Sequence, residues 1–299
     1  MSRESEGRTV VRAAAKVNLY LAVGGRRVNG YHDVETVLQA VSLADEVVLE
    51  TAPVLSVTTD PDLGLPSGEN LAYRAAKALG QAMGREPAVA ISISKRIPAQ
   101  AGLGGASTDA AAVLVGLAHR WGLGTVSTPL LHEVAAGLGA DVPFFLGKGT
   151  ALLTGRGDVL ARTLPTPPLN LAIVRPPIPV QTGAAYAAFD RLPEQEAPGS
   201  AAMVAACEAG DPVRVASALY NNMTGASTGL VPEVADALAF LRGAPGVLGV
   251  AMAGSGSAVF GVCASADDAG KVVSAAAGRG LWSVAATAVS VGVTVTEGA

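Results

Sequence analysis

Three glycines stand close together in "PAQAGLGGAST", between a β-branched run, "VAISISK", and a helical stretch. Glycines placed after a strand and before a helix let backbone N–H groups approach an anion, and the helix N-terminus adds its positive end. A phosphate suits such a loop, with the hydroxyls of Ser107 and Thr108 as further donors. The same residues also describe plain helix entry, with Ser107 as N-cap and Asp109 favoured by the helix dipole. Two familiar phosphate motifs are absent. No lysine follows the glycines as a P-loop requires. Ser107 holds the place of the third glycine of a dinucleotide fingerprint, and "HRWGLGTVSTPL" offers no acid about 20 positions on. His119 and His132 lie in helical stretches with no partner at metal-ligand spacing and read as structural. No G-x-S-x-G elbow surrounds Ser107 to make it a nucleophile.

The elements around this loop follow from periodicity. "RTVVRAAAKVNLYLAV" reads as one or two strands. Alternation puts Val17, Leu19, Leu21 and Val23 on one face and Lys16, Asn18 and Tyr20 on the other. A turn-rich connection, "GGRRVNGYH", leads to the strand "VETVLQAVSLADEVVLE", and "SVTTD" is a further strand. "ENLAYRAAKALGQAMG" is a helix with Leu71, Ala75, Leu79 and Ala82 on the helical period and Gly84 at its end. The loop's own helix runs from Ser107 to Trp121, stopped by Gly122. A helix near "TPLLHEVAAGL" leads into "GADVPFF", where Pro143 is expected to hold Val142 extended and so to aim Asp141. The proline-dense "LPTPPLN" is the linker candidate, giving domains 1–165 and 166–299. The second half mixes helices with an antiparallel sheet, an α+β arrangement, and "WSVAATAVSVGVTV" closes it as strand. The uncharged stretch from Ala244 to Ala266 reads as two buried strands around a glycine turn at Gly254, Ser255 and Gly256, not as a membrane span.

The bulk numbers agree with a globular protein. A chain of 299 residues predicts one large domain or two smaller ones. Half the residues are apolar and 4% aromatic, so the core is built from Ala, Val and Leu. A net charge of −4 argues against a nucleic-acid binder but leaves room for a small anionic substrate. Two cysteines suggest neither disulfides nor a zinc cluster. Arg12, Lys16 and Asn18 interrupt the apolar centre a signal peptide needs. The expectation is a cytoplasmic protein with no nucleic-acid or membrane partner.

"PAQAGLGGASTDAA" resembles the P-x-x-x-G-L-G-[GS]-[GS]-[SA] loop of the GHMP kinases, a family that includes galactokinase, homoserine kinase and mevalonate kinase. "AAAKVNLYLAV" resembles its N-terminal motif and "GVAMAGSGSAVFGV" its C-terminal glycine motif, in the same order. "VNGYHDVETVLQAV" and "LGADVPFFLGKGTALLTGRGD" are similar to the branch that phosphorylates a cytidyl diphosphate substrate. The match runs from about Ala13 to Phe260. It implies the two-domain α+β GHMP kinase fold with the active site in the interdomain cleft. ATP is then the co-substrate, accompanied by Mg²⁺ whose ligands the motifs do not assign. The loop implied to bind ATP comprises Pro98, Ala99, Gln100, Ala101, Gly102, Leu103, Gly104, Gly105, Ala106, Ser107 and Thr108.

Phosphoryl transfer needs charge neutralised on the γ-phosphate and a hydroxyl nucleophile held in line. The resemblance gives the first duty to Lys16 and the second to Asp141. Alone, Lys16 reads equally as a snorkelling strand residue and Asp141 as a turn or capping aspartate. Asn18, Tyr31, His32 and Tyr186 match substrate-side positions, the aromatic ones against the cytosine. Their bland readings are an edge-strand polar group, turn and packing tyrosines and a surface histidine. Two departures stand out: Ala106 replaces a usual Gly or Ser, and "LYNNMT" stands where relatives carry an acidic N-D-x-E. Three other functions compete. A homoserine-type kinase is opposed by the "GYH" element, a silent binding protein by the retention of Lys16 and Asp141, and an oxidoreductase by the missing fingerprint.

Overall fold

The computed structural model describes residues 7–27, 30–123, 129–193 and 196–296. Its first half is organised by two long strands, β1 (Arg8–Arg26) and β2 (His32–Thr51), paired antiparallel along most of their length. β1 is buried without a break from Ala13 to Val23, because both faces are covered, and a doubly covered strand shows no clean alternation. The pairing slips between Asn18 and Tyr20. This irregularity inserts a residue and turns the remainder of the strand over. Tyr20 consequently packs with Ala15 and Val17, while Leu21 joins Val23 in a separate core cluster. The expected single face of Val17, Leu19, Leu21 and Val23 is therefore broken.

β3 (Ser56–Asp60) and β4 (Val89–Ser94) extend the sheet beyond β2. Helix α1 (Leu71–Met83) buries Ala72, Ala75, Ala76 and Leu79, a stripe one residue off the expected Leu71/Ala82 edges, and ends at Gly84 with φ of 60°. Helix α2 (Gly105–Arg120) packs between α1 and the sheet and is buried nearly all round. Gly116 makes that approach possible, since a Cβ there would lie 2.7 Å from Leu49. α2 begins two residues before the expected Ser107. Its N-cap is Gly104 with φ of 75° and no side-chain cap, so Ser107 is not the capping residue. The glycine supplies the left-handed turn that starts the helix.

Beyond α3 (Pro129–Leu138) and the one-turn α4 (Val142–Phe145), β5 (Thr150–Thr154) pairs with β2 and β6 (Val159–Thr163). The second half holds a four-stranded antiparallel sheet. Its strands are β7 (Asn170–Arg175), β9 (Val247–Met252), β10 (Val259–Cys263) and β11 (Trp282–Thr287), in the order β11-β7-β10-β9. The uncharged stretch is thus the β9–β10 hairpin, and among the described residues no helix is long and apolar enough to cross a membrane. The helices Glu233–Arg242 and Ala266–Ala277 pack on this sheet.

Two segments of the second half cross back. β8 (Tyr220–Asn221) runs parallel to β1, and β12 (Val293–Thr296) pairs antiparallel with it. "WSVAATAVSVGVTV" is accordingly two strands in two sheets. Gly292 permits the crossing, because a Cβ there would press on the Phe145 backbone at 2.9 Å.

Candidate active site

The glycine loop is held from both sides. The Lys16 N–H donates to the Leu103 carbonyl at 2.9 Å, and the Ala258 N–H donates to the Ala101 carbonyl at 3.1 Å. Gly102 and Gly104 take φ of 76° and 75°. A Cβ on Gly102 would strike the Ala253 carbonyl, so the loop lies directly on the turn between β9 and β10. Strand β1, the loop and the turn of the second sheet form one interlocked surface.

Lys16 belongs to the middle of that surface, not to a sheet margin. Its side chain is only 4% exposed. The ammonium donates to Asn18 Oδ1 at 2.9 Å and lies 3.4 Å from Asp141 Oδ2. Asn18 Oδ1 also accepts the Gly254 N–H at 2.9 Å, while Asn18 Nδ2 donates to Thr36 Oγ1 at 3.0 Å. The Thr36 hydroxyl in turn donates to the Tyr20 carbonyl at 2.7 Å. With acceptor and donor ends both engaged, the Asn18 amide has one orientation and holds Lys16 in one rotamer. Two residues of the departing "LYNNMT" stretch reinforce this. Asn221 Nδ2 donates to the carbonyls of Met252 and Gly254, each at 2.8 Å, and Asn222 bonds both the N–H and the carbonyl of Val23.

Asp141 immediately precedes α4 yet makes no capping bond, so its carboxylate is left for Lys16. It is one-third exposed, open to a ligand. The expected extended Val142 is not found: Val142 opens α4 and Pro143 sits in its first turn. A proline there loses no helix bond, since the first N–H groups have no intrahelical partner.

Lys16, Asn18, Leu21 and Asp141 line a cavity of about 630 Å³ together with Thr182, Tyr186, Gly254 and Ser255. The loop lines it from Pro98 through Ser107. Thr108 is the exception: it is fully buried within α2, and its hydroxyl makes no hydrogen bond. A second cavity of about 710 Å³ adjoins the first, sharing Val34, Ala140, Arg156 and Tyr186 with it. Tyr31, His32 and Asp190 belong to this second space. His32 Nε2 lies 2.6 Å from Asp190 Oδ1, and its ring stands 5.0 Å from that of Tyr186 and 6.2 Å edge-on from Phe189. Tyr31 is 54% exposed, with the Arg156 guanidinium 5.0 Å above its ring. Burial, then the nearby Asp141 charge, raises the Tyr186 hydroxyl above its ordinary pKa.

A buried ionic cluster underlies the loop. Lys95 Nζ lies 2.5 Å from both Asp45 Oδ2 and Asp109 Oδ2, and Lys95 and Asp109 also line the first cavity. Asp45 Oδ1 additionally accepts the N–H groups of Arg96 and Ile97, whereas Asp109 Oδ1 has no partner. Desolvation therefore dominates at Asp109 and pushes its pKa up to about 7, against the opposing pull of Lys95. Sequence reasoning missed Thr36, Arg156, Asp190 and Asn221. Each carried a faint signal: Asp190 lies one helical turn beyond Tyr186, and Arg156, Thr36 and Asn221 fall inside "LLTGRGD", "VNGYHDVETVLQAV" and "LYNNMT".

A glycine cradle beside a buried lysine and its part-exposed carboxylate partner suits a small-molecule kinase. The family model "GHMP kinases N terminal domain" matches residues 70–149, and "GHMP kinases C terminal" matches residues 203–280. The chain belongs to the GHMP kinases.

Its similarities within the family are narrower. The 4-diphosphocytidyl-2-C-methyl-D-erythritol kinase of Pelotomaculum thermopropionicum is 43% identical over 262 residues, 87% of this chain and 91% of that one. The enzyme of the same name from Mycobacterium tuberculosis is 42% identical, over 92% of this chain and 88% of its own. A crystal structure of 4-(cytidine 5'-diphospho)-2C-methyl-D-erythritol kinase, 36% identical, superposes with a TM-score of 0.76 over 93% of this chain and 99% of that one. Homoserine kinase from Cytophaga hutchinsonii reaches the same TM-score at 22% identity, which marks a shared fold only.

Proposed function

We infer that the protein transfers the γ-phosphoryl group of ATP to the 2-hydroxyl of 4-diphosphocytidyl-2-C-methyl-D-erythritol, a step of the non-mevalonate route to isoprenoid precursors. The observation that carries the reading is the Lys16–Asp141 pair, 3.4 Å apart, in the loop cavity, which adjoins the aromatic one. ATP lies along the loop with its phosphates facing backbone N–H groups. The cytosine lies against Tyr31, His32 and Tyr186, which line one cavity. The hydroxyl oxygen attacks the γ-phosphorus, the bond to the β,γ-bridging oxygen breaks, and the hydroxyl proton passes to Asp141. Lys16 offsets charge on the transferring group in a site where its own solvation is already gone. Because the transition state is loose, orientation of the hydroxyl by Asp141 counts as much as its basicity.

Mg²⁺ would arrive with the nucleotide and neutralise the phosphates. Among the described residues no group of three or more His, Cys, Asp or Glu could hold a metal. This ion is usually coordinated by substrate phosphates, water and one or two carboxylates. We further propose a cytoplasmic enzyme without nucleic-acid partners, on the net charge of −4 and two buried free cysteines. The proposed boundary between domains 1–165 and 166–299 falls between β6 and β7, with β8 and β12 returning to the first sheet.

Coupled ADP release with the cytidyl substrate, homoserine and mevalonate as alternative acceptors tests the reading. Turnover with the cytidyl substrate alone is expected. Preferential turnover of either competitor would overturn it.

A further inference from the structure

The second cavity carries more positive charge than a neutral base requires. Among the described residues, Arg26, Arg74 and Arg156 line it, and its one acid is Asp190, already engaged with His32. Arg156 differs from the other two in position. It lines both cavities, so it stands where the aromatic space meets the space of Lys16 and Asp141. Its side chain is also held. Nε and Nη2 donate to Asp158 Oδ2 at 3.0 and 2.6 Å, and the guanidinium lies over the Tyr31 ring. Asp158 itself lines neither cavity, and it uses two of the five guanidinium donors. The result is a planar cation, fixed in direction, at the waist of the cleft.

On the reading proposed above, the ligand has three parts in line: a base, a diphosphate and a polyol. The base belongs with His32 and Tyr186, the reacting hydroxyl with Lys16 and Asp141. The segment between them is the diphosphate, the one strongly anionic part. We propose that Arg156 grips the diphosphate of the cytidyl substrate, with Arg74 adding charge from α1, and so sets the span from base to reacting hydroxyl. A guanidinium suits this duty because its fork matches phosphate oxygens in pairs, whereas an ammonium acts as a point charge. The duty rests on the cytidyl reading and deepens it, since it assigns the discrimination between a nucleoside and its diphosphate to named residues.

The test is competitive inhibition against the cytidyl substrate at saturating ATP, with cytidine, CMP and CDP as probes. It uses wild type, Arg156→Gln, Arg156→Lys and Arg74→Gln. Wild type should bind CDP more tightly than cytidine. Arg156→Gln should weaken CDP by about ten- to a hundredfold, the range for a lost charge-assisted contact. Cytidine affinity and the KM for ATP should stay within about twofold of wild type. Arg156→Lys should fall between, and Arg74→Gln should cost less than Arg156→Gln. Equal losses of CDP and cytidine in Arg156→Gln would mean that Arg156 acts only by propping Tyr31, and would overturn the proposal. Unchanged CDP affinity in a variant with a wild-type melting curve would overturn it too. A wild-type protein that neither turns over the cytidyl substrate nor prefers CDP to cytidine would bring down the underlying function, and this proposal with it.

Discussion

Replacing Gly104 with alanine adds one methyl group where two costs meet. Gly104 takes φ of 75°, a region that costs an L-residue about 1–2 kcal/mol. The new Cβ would also lie 2.9 Å from Phe145 Cζ and 3.0 Å from Lys16 Cγ. Phe145 has little room to retreat. It is buried, packed edge-on against Phe144 at 5.1 Å, and closed off by the Gly292 backbone. Overpacking of this kind costs about 1–3 kcal/mol. The two together predict a loss of roughly 2–5 kcal/mol, survivable for a domain with 5–15 kcal/mol of stability. Gly84 separates the two costs. Its φ is 60°, and nothing lies within 4 Å of a Cβ built there. Gly84→Ala should cost about 1–2 kcal/mol or less, because alanine also restricts the unfolded chain. Function should divide the variants more sharply. Relief at position 104 comes most easily by moving the Lys16 stem, and a misplacement of about 1 Å can cost 10²-fold in rate. Urea denaturation and kcat at saturating ATP measure both effects. If Gly104→Ala loses no more stability than Gly84→Ala and keeps full kcat, the loop does not press on Lys16 and the steric argument fails.

Asp141→Asn should lower kcat by ~10²–10⁴-fold and also lower the melting temperature, because the buried Lys16 ammonium loses its counter-charge; full activity would remove Asp141 from the reaction. Lys16→Met should depress turnover and also weaken the fold, since Asn18 Oδ1 and Asp141 lose the same partner; unchanged kcat in the purified variant would refute its role. Tyr186→Ala should raise the KM for the cytidyl substrate by the ~1–3 kcal/mol of a base–aromatic contact and leave the KM for ATP alone; a melting-temperature loss with both KM values unmoved would make it a packing residue. Asp109 gives a pH prediction. Its pKa of about 7 stands above the ordinary 3.8, so between those values the folded state holds a proton that the unfolded state lacks. Stability from this group is complete below the unfolded value and is lost as pH rises to the folded one. Lys95, whose pKa is raised by its two carboxylates against the effect of burial, stays charged throughout. Relative to Asp109→Asn, wild type should lose on the order of 1–3 kcal/mol between pH 5 and 7; parallel curves for the two proteins would show that Asp109 does not titrate there.

What the sequence made legible was local. The glycine loop, its flanking strand and helix, and the end of α1 at Gly84 are set by residues within a few positions of one another; the strand and Gly84 lie where periodicity and turn chemistry put them, while α2 starts at Gly105, two residues before the expected Ser107. Lys16 and Asn18 do share a site, as alternation within one strand predicts. Alternation then failed two residues later, at the register slip before Tyr20. Such a slip depends on what β2 and the second sheet present to the strand, and period counting has no access to that. The same limit applied at Val142. Its proline neighbour favoured an extended residue, but the first turn of a helix tolerates proline at no hydrogen-bond cost, and the buried Phe144 and Phe145 decide the matter.

The site itself is assembled across large separations in the chain. Asn18 meets the Gly254 N–H 236 residues away, and Val23 meets Asn222 across 199. No single segment announces such contacts, which is why Thr36, Asn221 and Asp190 were not seen. The order of the motifs carried that information instead. A loop that must lie on the β9–β10 turn, and a lysine whose backbone N–H holds Leu103 while its ammonium meets Asp141, work only if all these segments are present together. On the proposed function Lys16 has two separable duties: its backbone N–H holds the glycine loop whatever side chain it bears, and its ammonium serves the reaction. A side-chain substitution there can abolish turnover while the loop remains in place to bind ATP.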